Sequence, residues 1–355
     1  MTLARHLGLA ILTAVVLAVL SVRLGAYRDY QMAEVAAYVV PVAGLTVLIG
    51  LSGQISVGHG AFMAVGAYLC ALLLLHQGWP LPAVFAAATA FTAAVGGLVG
   101  VAAARLRGPY LAGATLMLAV ALPTVADQFP GLFGGDQGLV VTVTNPSFLP
   151  ATFPPTRWLA WLTCLVALIA LILLANLSAS RIGRNWRAVR DDEVAAALAG
   201  LNVARLKILA FVVSAACGGL GGCLLAVVSQ IVGPGQFTLT LSIGLLTAAV
   251  IGGLGSLPGA VWGSLILVLL QTYLIDVASS HGLSSGASSS IPIAAYGVIL
   301  IVVMLAFPAG IQGALRRIFG PAVGALPLPA PARARRAHPA GDHPASEHHE
   351  EGSRT

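Results

Sequence analysis

The amino-acid sequence predicts an all-α, polytopic transmembrane helical bundle of about ten spans, on three observations. Of its 355 residues, 58% are hydrophobic and only 8% are charged, against about 45–50% and about 25% in an average soluble domain. The apolar residues gather into runs close to the roughly 20 needed to cross about 30 Å of hydrocarbon. The basic residues gather in a few segments between those runs. Eighteen basic and twelve acidic side chains cannot screen this much apolar surface from water, so the solvent is a lipid bilayer. The mean hydropathy of +0.93 agrees.

Candidate spans fall near 7–22, 35–52, 57–76, 81–104 and 110–126, then 158–176, 207–230, 242–255, 258–276 and 292–312. Together they make a transmembrane domain over 1–312. The eighth run is short and Gly-rich, and reads either as a half-helix or as a full crossing. Backbone polar groups must be satisfied within each segment in lipid, so these runs are helices. Strands of an outer-membrane barrel would instead alternate over about 10 residues. The first run follows Arg5 like a secretory signal, but Leu20-Ser21-Val22 offers no small-residue cleavage site and Arg23 follows directly. It reads as an uncleaved span. The segment 313–355, rich in Ala, Pro, Arg, His and Glu, cannot bury a core and is expected to be a disordered tail.

Orientation follows from the basic residues. Arg105 and Arg107, then Arg181, Arg184, Arg187, Arg190, Arg205 and Lys207, then Arg316, Arg317, Arg333, Arg335 and Arg336 fall on one side of a ten-span arrangement. That side, with both termini, is expected to be cytoplasmic. The loops at 127–157 and 277–291 fall outside, with Arg23, Arg28 and Arg157 as a minority of outer basic residues. Because the arginines flank apolar spans, the pI of about 9.5 does not argue for nucleic acid.

Several chemistries find no motif. There is no G-x-x-x-x-G-K-[ST] phosphate loop, and the only lysine, Lys207, follows a leucine. No H-E-x-x-H occurs. Cys70, Cys164, Cys217 and Cys223 fall within spans without C-x-x-C spacing and read as small core residues. No metal or cofactor is expected. Gly50-Leu51-Ser52-Gly53 fits the G-x-S-G pattern of rhomboid intramembrane proteases, yet no histidine lies in a late span to serve as the base.

Two segments carry the functional argument. In the loop 181–206, Val194, Ala197, Leu198 and Leu201 recur at i, i+3, i+4 and i+7, which predicts a short helix with one apolar stripe. Asp191, Asp192 and Glu193 stand at its start, where the helix dipole favours negative charge, and Gly200 supplies a stop. Such a helix either lies on the membrane surface or docks into a partner. The small run Ala195-Ala196-Ala197 and the lack of aromatic anchors after Trp186 favour docking. The second segment holds Ser52, Gln54, Ser56 and His59, where Gly50, Gly53, Gly58 and Gly60 interrupt a span. Broken helices can line a pathway; alternatively the glycines permit close packing and the polar groups bond a neighbouring helix. Asp127 and Asp136 in the outer loop either meet an external protein or are simply solvated. Glu34 and Asp276 are expected at the interface, near span ends. Ile251-Gly252-Gly253-Leu254-Gly255-Ser256 loosely echoes Ile49-Gly50-Leu51-Ser52-Gly53-Gln54.

On these residues the chain resembles a known family. Glu193-Val-Ala-Ala-Ala-Leu-Ala-Gly200 is similar to the E-A-A-x-x-x-G loop of ABC-transporter permeases, whose coupling helix engages the ATPase. More specifically, the chain resembles the LivM type of branched-chain amino acid permease. Leu51-Ser-Gly-Gln-Ile-Ser-Val-Gly-His-Gly-Ala-Phe62 matches that family's hallmark between early spans. Arg107–Leu116, Gly134–Leu139, Val189–Glu193, Gly200–Val203 with Lys207 and Phe211, and Val250–Gly259 match in order. Pro109 stands where an aliphatic residue is expected, the 281–290 loop is unusually Ser-rich, and the tail departs from the pattern.

The resemblance implies an ABC-importer permease subunit for leucine, isoleucine and valine, with urea or amide import as a variant within the family. It implies a LivH-type partner permease, two cytoplasmic ABC ATPase subunits and an extracytoplasmic solute-binding protein, with no bond chemistry in this chain. It implies coupling to the ATPase through Arg190, Asp191, Glu193, Ala195, Ala196 and Gly200. The rival, a stand-alone secondary transporter or channel, would want a charge relay inside the spans, and acidic residues are scarce there.

Overall fold

The computed structural model of the chain describes residues 25–106, 109–143, 153–280 and 310–319, with a few isolated positions between them. The first and tenth candidate spans and the tail after 319 lie outside the described residues or almost so. Within them, eight helices are long and apolar enough to cross a membrane.

Helix α1 (Ala26–Ser52) starts nine residues earlier than the hydropathy run, because its first turns carry Tyr27, Arg28, Asp29, Tyr30 and Gln31. It ends at Gly53, whose φ of 73° closes a C-terminal cap with Gly53 N–H on Ile49 O and Gln54 N–H on Leu48 O. A left-handed residue is what this cap requires and glycine adopts it without a Cβ penalty. After an irregular segment come α2 (His59–Gln77) and α3 (Leu81–Ala103), the latter opening with Pro82 in its first turn. Helix α4 (Pro109–Gln128) begins with Pro109 itself, where the missing N–H costs nothing. A short turn, α5 (Pro130–Phe133), leads to β1 (Leu139–Val140).

Helix α6 (Pro155–Ala179) returns to the arginine-bearing end. There the loop forms two helices, α7 (Arg181–Asp191) and α8 (Glu193–Leu198). Helix α9 (Val203–Ser229) crosses again and passes into β2 (Ile231–Val232), which pairs antiparallel with β1 at the opposite end of the bundle. Helix α10 (Leu239–Gly252) has 14 residues, about 21 Å of rise and short of the hydrocarbon thickness. A preceding 3₁₀ turn, Pro234–Gln236, brings the candidate crossing to 19 residues. Helix α11 (Leu257–Ser280) follows after a Gly-rich turn, and α12 (Gly310–Phe319) lies beyond it.

Helices α1 and α9 are the most buried spans, while α3, α4, α6 and α11 keep most of their surface outside. Helix α9 packs on α1, α2 and α3 at once, and α6 and α11 pack on α1. The contacts are made by small residues. A Cβ on Gly219 would strike Thr92 of α3, one on Gly221 would strike Pro41 of α1, and one on Gly222 would strike the Met63 carbonyl of α2. Lipid offers no hydrophobic drive between helices, so close backbone approach and dispersion hold such bundles together.

Two expectations are corrected here. Glu34 is not at a span end: it lies eight residues into α1, about 12 Å along the axis. The loop helix is two helices rather than one, because Asp192, at φ −159° and ψ 110°, breaks the run and caps α8.

Candidate functional site

The interrupted span lies against the arginine-bearing loop. Each polar residue singled out there is buried. Ser52 Oγ donates to Leu48 O at 2.7 Å within its own helix. Gln54 Nε2 donates to Ser52 Oγ at 2.9 Å and to the carbonyl of Lys207 on α9 at 3.2 Å. The backbone N–H of Val57 donates to Thr115 Oγ1 of α4, and that of Gly60 to Ser242 Oγ of α10.

His59 lies 3.1 Å from Ser214 Oγ and 3.2 Å from Ser214 O through Nε2. The Ser214 hydroxyl donates to Gly44 O, so Nε2 carries the proton toward Ser214. Ser52 Oγ and His59 Nε2 thus each bond elsewhere. Ser56 Oγ and His59 Nδ1 are buried without a partner among the described residues.

The arginine-bearing loop is bolted to the same place. Arg190, at the end of α7, reaches Gly50 O with Nη1 at 2.5 Å and pairs with Asp191 at 2.8 Å. A Cβ on Gly50 would overlap the backbone of Gly255, so the two glycine segments that echo each other in sequence pack face to face. Trp186, fully buried, donates from Nε1 to Leu206 O at 2.9 Å. The sole lysine, Lys207, is almost buried and its Nζ meets Glu193 Oε1 at 2.5 Å. Asp192 Oδ1 accepts from the N–H groups of Val194 and Ala195, satisfying the first turn of α8. Gly200 takes φ 85° just past α8.

Helix α8 buries only Ala196. Val194 and Leu198, two members of the predicted apolar stripe, are 69% and 84% exposed, and Ala195 is exposed beside them. The stripe therefore faces away from this chain. Below α8 lies a cavity of about 270 Å³ lined by Ser52, Gln54, Leu111, Glu193 and Lys207. It joins the interrupted span to the start of α8.

Lys207, Trp186, Thr115, Ser214 and Ser242 were not among the predicted site residues. The signal for Lys207 was its uniqueness. Trp186 and Val189 lie three apart on one face of α7, a short apolar spacing in a polar run. The partners of His59 and Gly60 are more than 150 residues away in sequence and left no local signal. Among the described residues there is no group of three His, Cys, Asp or Glu side chains able to hold a metal ion. The four cysteines are free thiols. Asp127 lies near the end of α4, at the opposite face of the bundle.

Among the described residues, eight apolar helices around a glycine-packed core, with a short exposed helix clamped to an interrupted span, define a polytopic membrane protein of the transport-permease class. The chain belongs to the family of branched-chain amino acid transport system / permease components, whose model matches residues 27–308. It is 29% identical over 262 residues to the high-affinity branched-chain amino acid transport system permease protein LivM of Escherichia coli, covering 67% of this chain and 61% of that one. It is 27% identical over 296 residues to LivH of the same organism, covering 78% and 91%. It is 29% identical over 304 residues to BraD of Pseudomonas aeruginosa, covering 78% and 91%. The chain thus spans about three fifths of the length of the LivM relatives. No solved structure matches it.

Proposed function

We propose that this chain is a membrane-spanning permease subunit of an ABC importer for branched-chain amino acids. The names of its LivM, LivH and BraD relatives support that solute class. In this reading it works beside a LivH-type partner permease, above two cytoplasmic ABC ATPase subunits and below an extracytoplasmic solute-binding protein. The arginine-bearing end and both termini face the cytoplasm. The chain makes and breaks no covalent bonds.

The observation that carries the proposal is the exposure of Val194 and Leu198 on a helix whose other contacts are fixed. Arg190, Asp191, Glu193, Ala195, Ala196 and Gly200 form the coupling element. ATP binding closes the ATPase pair and moves α8. Through Glu193–Lys207 that motion reaches the start of α9, and through Arg190–Gly50 it reaches the end of α1. These are the two most buried helices, so the pull changes the balance between outward and inward access. Ser52 and Gln54, already on the cavity wall, line the pathway at its cytoplasmic end. Ser56 and His59, one layer deeper, continue that lining inward.

The test is purification of the assembly from native membranes in mild detergent, with mass spectrometry of the associated chains. A second permease and a pair of ATPase subunits are expected. Recovery of this chain only with copies of itself would transfer the weight to a stand-alone transporter or channel.

A further inference from the structure

A second cavity, of about 390 Å³, lies at the end of the bundle away from α8. Three helices build it. Helix α1 contributes Glu34 and Tyr38, one turn apart on one face. Helix α11 contributes Leu267, Val268 and Gln271 from its own inner face. Helix α10 enters with its N-terminus, where Thr238 takes the cap position without a side-chain hydrogen bond to the first turn.

Glu34 makes no ion pair and no hydrogen bond among the described residues, and it is only partly exposed. Gln236, at the rim, has a buried Oε1 without a hydrogen-bond partner. An ionisable side chain within a span is costly in lipid and marks a solute or ion path when it faces a cavity. The first-turn amides of α10 and its dipole favour a negative group at that point. Opposite these polar ends the wall is aliphatic, with Leu241, Leu267 and Val268 around Gly244. The cavity thus offers an acid for a cation, amide donors for an anion, and an apolar recess, within the size range of small-molecule sites.

We propose that this cavity is the solute site of the permease and that it takes an α-amino acid with an aliphatic side chain. Glu34 pairs with the ammonium, the α10 N-terminus receives the carboxylate, and the side chain lies over Gly244 against Leu267. The assignment rests on the import reading above and adds to it the place where the solute stops.

The test uses the complete assembly in nanodiscs without its solute-binding protein. It measures binding of tritiated L-leucine, competed by 4-methylpentanoate, which lacks the ammonium. Glu34→Gln, which keeps the shape, is expected to weaken leucine binding about tenfold while leaving 4-methylpentanoate competition unchanged. Gly244→Leu, which fills the recess, is expected to abolish both. Retention of the partner subunits on purification certifies that each variant is folded. Leucine binding equal to wild type in both variants overturns the site, as does absence of binding to the wild type. ATP-driven leucine uptake by wild-type proteoliposomes, with the binding protein restored, separates the two ideas. Uptake with unaffected variants removes only the site, whereas no uptake removes the import reading itself.

Discussion

The ammonium of Lys207, at the start of α9, meets the carboxylate of Glu193, the first residue of α8. Lys207 is nearly buried and Glu193 is 41% exposed at its side chain. The pair fastens the exposed helix to the bundle and forms one wall of the cavity beneath it.

Reversing one partner should therefore uncouple rather than unfold. Glu193→Lys is expected to cut ATP-driven uptake about tenfold while membrane insertion and expression stay normal. The double variant Glu193→Lys/Lys207→Glu should recover part of that loss. Gly200→Arg should give the same uncoupled phenotype, because φ 85° is unfavourable for arginine and the loop after α8 would be displaced. Uptake at wild-type rates in the single variants would remove the coupling role from this helix.

Trp186 anchors α7 by shape and by one hydrogen bond. Trp186→Phe removes the bond to Leu206 O and should lower stability by about 1 kcal/mol. Trp186→Ala should cost about 3–5 kcal/mol. Thermal unfolding of the purified chain, followed by size-exclusion chromatography, reads both. A Trp186→Phe variant as stable as wild type would mean that the indole N–H contributes nothing.

At the opposite end, Arg157 Nε lies 3.3 Å from Asp29 Oδ2, with the aspartate side chain 1% exposed. Arg157→Gln strands a buried carboxylate and should destabilise by about 2–4 kcal/mol. Adding Asp29→Asn should restore most of that. A double variant no more stable than the single one would show that the pair is incidental.

Glycine spacing on α9 makes a paired prediction. A Cβ at Gly222 would overlap the Met63 carbonyl, whereas one at Gly113 on α4 meets nothing within 4 Å. Gly222→Ala should destabilise by about 1–3 kcal/mol. Gly113→Ala should be neutral or stabilise by up to about 1 kcal/mol, through helix propensity. Melting temperatures of the two variants, measured side by side, decide it.

Much of this was written plainly in the chain. Long apolar runs mark helices because lipid leaves the backbone no other arrangement, and seven of the eight described spans appear within a few residues of their runs. The start of α1 did not, since Tyr27, Arg28 and Asp29 fail a hydropathy reading while still continuing a helix. Helix α7 hid because its arginines outweigh the spacing of Trp186 and Val189. The cap at Asp192 and the stop at Gly200 were readable, because caps act over three or four residues. Glu34 was misjudged for the opposite reason. Its cavity exists only where α1, α10 and α11 converge, and Asp29 finds Arg157 across 128 positions. Local pattern carries no trace of such meetings. The charge asymmetry was visible, but the neutralisation of Arg157 by Asp29, which explains one outlier, was not.

The glycines of α9 have one more consequence. Phe62, Thr92, Pro41 and Met63 seat directly against its backbone on several sides. Close-packed surfaces of this kind switch between discrete arrangements rather than deform. The α1–α2–α3–α9 core is then a rigid strut, and the irregular stretch from Gly53 to Gly58, together with the α7–α8 elbow at Asp192, serves as its fulcrum.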